Sequence, residues 1–152
     1  MINLGPFSGK SCPDVRFRPA LSDRVLEGIA LLFMLATWGC IYWLYAWKEE
    51  PFSPELWAIG GISVCCFVIM GVCSYLPVRF INFPVRVSER NIGIQYLLAI
   101  RLTRVMNVVL NFTFLSGVLM KYFKFAEILF IASFVLLGLA FVIYYILAYR
   151  YK

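Results

Sequence analysis

Residues 25–47, 56–76, 97–120 and 127–149 are four apolar stretches, each long enough or nearly long enough to cross a bilayer. A hydrocarbon core about 30 Å thick takes about 20 helical residues at about 1.5 Å each. In a chain of 152 residues that leaves little for a water-soluble domain. The sequence therefore reads as all-α: an integral membrane bundle of four transmembrane helices over residues 25–152, preceded by an N-terminal arm, residues 1–24. The arm carries Pro6, Pro13 and Pro19 and reads as irregular. It does not read as a cleavable signal, because the first apolar run starts too late and runs too long.

Charge decides the expected orientation. Of 14 basic residues, Lys48, Lys121 and Lys124 fall in the loops after the first and third spans, and the other eleven fall on the opposite side. Basic residues in short loops concentrate on the cytoplasmic face, so both termini are expected in the cytoplasm. The net charge of +6 then reports topology and contact with anionic headgroups on the cytoplasmic side, and no nucleic-acid partner is expected.

The chain has no histidine, which removes the commonest general base and metal ligand. Cys40, Cys65, Cys66 and Cys73 lie inside predicted spans, where cysteine acts as a small apolar residue. Cys12 follows Ser8-Gly9-Lys10-Ser11, which does not resemble a lipidation site. No catalytic residues, cofactor or metal site are expected.

Local signals place the helix ends. Ser22 or Asp23 is the expected N-cap of the first helix. Its far end holds Tyr42, Trp43, Tyr45 and Trp47, an interfacial aromatic belt, and Lys48-Glu49-Glu50-Pro51 then marks exit into water. Gly61 and Cys65 are a weak signal for close packing of the second helix. Pro77 and Pro84 prevent a continuous helix over 77–87, so this segment is expected as a non-helical strap at the cytoplasmic surface, with Arg79 and Arg86 reaching headgroups. Ser88 is the expected cap of the third helix, with Glu89 in its first turn.

The third helix carries the notable polar residues: Gln95, Arg101, Arg104, Asn107 and Asn111. The last four are spaced by three, three and four and share one helix face. Such groups are costly in lipid unless paired or hydrated, so the stripe should face the bundle or a wet cavity. Glu27, at similar depth, is the expected counter-ion of Arg101 and Arg104. Three readings follow: structural hydrogen bonding and snorkelling, a small cavity for an anionic headgroup or ligand, and a proton or ion path. Glu27, Arg101, Arg104, Asn107, Asn111, Arg79 and Arg86 form the candidate polar or partner site.

The string Asn82-Phe83-Pro84-Val85-Arg86-Val87-Ser88-Glu89-Arg90-Asn91, with Gln95-Tyr96, Leu98-Ala99, Arg101 and Arg104 after it, resembles a segment of small bacterial membrane proteins of unknown function. Those proteins share their membrane domain with SdpI-type toxin-immunity proteins, and the version here looks most like those from Bacteroidetes. The resemblance covers residues 16–115 or so and is most specific over 82–104. Relatives usually carry an I-P-x-H-F motif and a Gly-x-x-Asp-like stretch after the first span, where this chain has Trp47-Lys48-Glu49-Glu50-Pro51-Phe52. The resemblance implies a multi-pass protein of the bacterial inner membrane. It also implies a role like that of the SdpI-type proteins, which protect against a secreted toxin and can sequester a repressor at the membrane.

The expectation is thus a non-enzymatic inner-membrane protein that binds, senses or confers immunity through a lipid, a protein partner or a further copy of itself. The alternative is a small transporter or channel subunit with a polar path along the third helix. A wet path lined by Asn107 and Asn111 would favour transport, and a dry bundle would favour binding.

Overall fold

The computed structural model describes residues 19–47, 53–88 and 90–152. Most of the N-terminal arm with Cys12, the exit sequence Lys48-Glu49-Glu50-Pro51 and Glu89 lie outside the described residues. Among the described residues there is no strand, and four helices are each long and apolar enough to cross a membrane: α1 (Leu21–Trp47), α2 (Pro54–Cys73), α3 (Ile92–Met120) and α4 (Phe125–Arg150). The protein is an all-helical, multi-pass membrane bundle.

Several helix ends differ from the sequence expectation. α1 starts at Leu21 because the Asp23 carboxylate turns back to accept the backbone N–H of Ala20 at 2.8 Å. Asp23 therefore sits in the first turn, as the acidic half of a capping box, and neither it nor Ser22 is the N-cap. α2 ends at Cys73, three residues before the expected stop. There the Ser74 hydroxyl donates to Met70 O at 2.9 Å and its N–H is shared among the last carbonyls, so the helix closes before Pro77 is reached.

The segment 77–87 is a strap, with a single turn of 3-10 helix at Val78–Phe80. Val78, Val85 and Val87 are buried. Val78 and Val87 pack on Ile92, Tyr96 and Ile100 of α3, with Ile81 and Phe83 alongside. α3 begins at Ile92, four residues after Ser88. Asn91 displaces Ser88 as the cap residue. Its Oδ1 accepts the Ser88 N–H at 2.7 Å and its Nδ2 donates to Arg86 O at 3.2 Å, so the chain turns once more before the helix starts.

The helices run up, down, up, down. α3 is central: it packs on all three others, α1 and α2 pack together, and α4 lies chiefly on α3. The start of α1, the end of α2, the start of α3 and the end of α4 share one side. Gln95 donates to Ala148 O and Tyr151 O at 2.9 and 3.2 Å, satisfying carbonyls left open at the end of α4. The Tyr96 hydroxyl donates to Leu76 O at 2.9 Å just past α2. At the other side Ile41, Leu44, Leu56 and Val118 form a core, and Tyr42, Trp43, Tyr45 and Trp47 are exposed as an aromatic rim. Where α1 and α2 touch, the close approach is at Gly60. A Cβ there would lie 3.0 Å from Ile41 and 3.1 Å from Trp38, whereas Gly61 has open space and Cys65 is exposed.

Candidate functional site

The side chains on the stripe of α3 form two polar layers. The first centres on Arg104, which is 1% exposed. Its Nε donates to Glu27 Oε1 at 2.9 Å, and its Nη1 stands 3.4 Å from Asp23 Oδ1. The Tyr75 hydroxyl donates to both carboxylate oxygens of Glu27, at 2.9 and 3.1 Å, and the Tyr75 ring lies 5.5 Å from the guanidinium. One arginine thus ties the start of α1 to α3 and, through Tyr75, to the segment after α2.

Glu27 meets Arg104 as expected but not Arg101. The Nε of Arg101 stands 3.8 Å from Asp23 Oδ1, and its side chain is 48% exposed. Arg104 is engaged by both carboxylates, so its charge is spent on its own helices and is not offered to an anion. Arg101 sits at the edge of the stripe, facing outward.

The second layer is a chain of hydrogen bonds between α2 and α3. The Ser63 hydroxyl donates to Asn111 Oδ1 at 2.8 Å, Asn111 Nδ2 donates to Asn107 O and Oδ1 at 3.0 and 2.9 Å, and Asn107 Nδ2 reaches Phe67 O at 3.4 Å. Ser63, Asn107 and Asn111 are all buried. Thr113 donates to Ser133 Oγ at 2.9 Å, a corresponding link between α3 and α4. Small hydroxyl and amide side chains joining helices in this way hold transmembrane bundles together.

Arg79 and Arg86 stand apart from both layers, exposed on the strap, with the Arg79 guanidinium 4.7 Å from the Phe80 ring centre. Sequence reasoning missed Asp23, Tyr75 and Ser63 as members of the polar layers. An acid near a helix start reads as a cap, and a lone serine or tyrosine in an apolar run gives no sign of its partner. Among the described residues no group of three or more Cys, Asp, Glu or His side chains is placed to hold a metal. No family model, curated protein or solved structure matches the chain.

Proposed function

We propose that this is a non-enzymatic binding protein of the bacterial inner membrane, both termini in the cytoplasm, acting in the manner of an immunity or sensing protein through a protein partner. The observation that carries the reading is the hydrogen-bond chain Ser63–Asn111–Asn107–Phe67 O, which leaves the amides of the stripe buried and engaged with α2 and with each other. A transport path would need those groups to face water, so the arrangement supports binding over conduction. The partner surface on this reading is the strap: Val78, Val85 and Val87 anchor it, while Arg79, Phe80 and Arg86 are presented outward. The likeness of residues 82–104 to SdpI-type relatives is the sequence support for an immunity-type role.

The test places a photo-crosslinking residue at Phe80 and, as a control, at Ile131 on the exposed side of α4, in membranes of a native host. A discrete protein adduct from position 80, lost in Arg79→Glu/Arg86→Glu and never formed from position 131, supports the reading. No adduct at 80, together with ion flux in reconstituted vesicles that Asn107→Leu abolishes, favours a channel or transporter.

A further inference from the structure

A groove of about 280 Å³ opens between α3 and α4 on the outer face of the bundle. Its walls are apolar: Leu98, Leu102 and Val105 from α3, and Ala140 and Ile143 from α4. Arg101 and Tyr144 also line it, and Arg101 is the single charged residue in the lining. The groove shares Arg101 with the edge of the buried Arg104 layer.

Depth sets what the groove meets. The 20 residues from Arg101 to Met120 span about 30 Å as helix, the thickness of the hydrocarbon core. With Met120 at one boundary, Arg101 lies at the other, at headgroup level. Leu102, Val105, Ala140 and Ile143 then line the groove at and just below that level. The Arg101 side chain is half exposed, and among the described residues it makes one ion-pair contact, at 3.8 Å, to a carboxylate that Arg104 already engages. Guanidinium is the side chain best shaped to clamp a phosphate with paired N–H donors.

We propose that this groove is a binding site for one anionic phospholipid, with the phosphate on Arg101 and one acyl chain along Leu102, Val105 and Ala140. A charged donor above an apolar slot matches an amphiphile with an anionic head and a hydrocarbon tail, and the volume suits one chain rather than a bulky ligand. A protein helix from a second copy would bring apolar surface to the slot but nothing that calls for Arg101.

The test uses the full chain reconstituted in vesicles containing a phospholipid with a photoreactive group on its acyl chain, in an anionic and a zwitterionic form. Adducts are mapped by mass spectrometry of peptides. Adducts concentrated on Leu102, Val105, Ala140 and Ile143 are expected, stronger with the anionic lipid. Arg101→Gln should lower anionic labelling about fivefold, the scale of one basic contact at a membrane surface, with zwitterionic labelling unchanged. Arg101→Lys should retain most of it, and Ala140→Phe, which fills the slot from the α4 side, should remove both. Each variant is compared at equal melting temperature to the parent in detergent. Labelling spread evenly over the exposed faces of α1, α2 and α4, or indifferent to Arg101→Gln and Ala140→Phe, would overturn the proposal. So would Val105→Cys and Ile143→Cys copies that form a disulfide with one another across two chains while excluding the lipid.

Discussion

Arg104 and Glu27 stand 77 positions apart in the chain and meet at 2.9 Å, with the arginine almost wholly buried and the acid 30% exposed. In a bundle whose apolar surfaces face lipid, burial of hydrocarbon gives little preference for one helix arrangement over another. A buried charge that must find its partner does. Pairing Arg104 with Glu27 and Asp23 fixes the register of α1 on α3, and the Tyr75 hydroxyl extends the same constraint to the end of α2.

Glu27→Gln leaves Arg104 with Asp23 alone and should destabilise the detergent-solubilised protein by about 2–3 kcal/mol, below the range of about 3–5 for breaking a fully buried pair because Glu27 is partly hydrated. Glu27→Gln with Arg104→Gln should recover part of the loss, and Glu27→Gln with Arg101→Gln should show a smaller coupling, since those two side chains do not meet and connect only through Asp23 and Arg104. Equilibrium unfolding of the two cycles measures both couplings.

Asn111→Ala strands the Ser63 hydroxyl and Asn107 Oδ1, and should cost about 1–2 kcal/mol. Ser63→Ala removes one donor and should cost less. The same unfolding assay ranks them, and a loss at Ser63 larger than at Asn111 would contradict the geometry.

Two neighbouring glycines should respond in opposite ways. A methyl at Gly60 must displace Ile41 and Trp38, so Gly60→Ala should lower stability by about 1–3 kcal/mol as overpacking does. Gly61→Ala enters open space and should be neutral or mildly stabilising, through the better helix propensity of alanine. Melting temperatures of the two variants decide it.

Gln95→Leu removes the donors that hold Ala148 O and Tyr151 O. The last turn of α4 should fray, seen as faster amide hydrogen exchange over 148–152 with little change in the middle of α4.

The spans were legible because bilayer thickness imposes a length that no soluble helix must obey, and the strap because two prolines seven residues apart forbid a helix. The Glu27–Arg104 pair was legible from depth alone. Other features were not. Asp23 serves its own helix end and Arg104 at once, and the first role hides the second. Ser88 reads as the cap, and only the hydrogen bonds of Asn91 to Ser88 and Arg86 show that the chain turns once more before the helix starts. Gly60 and Gly61 differ by about 100° around the helix, and which of them faces α1 depends on a rotation that the apolar surface of α2, alike on all sides, does not encode. Arg79 and Arg86 share charge with the α3 stripe but not its place, since the strap carries them away from it.

On the proposed reading the strap, the start of α1 and the end of α4 face the cytoplasm, with the partner surface and Arg101 at the inner leaflet. Membrane-impermeant thiol labelling of intact cells tests it most directly, in a chain whose native cysteines are replaced. Lys124→Cys, between α3 and α4, should be modified from outside, while Ser88→Cys and Tyr151→Cys should react only after the cells are opened. Modification of Ser88→Cys and Tyr151→Cys in intact cells, with Lys124→Cys protected, would invert the protein in the membrane and contradict the account.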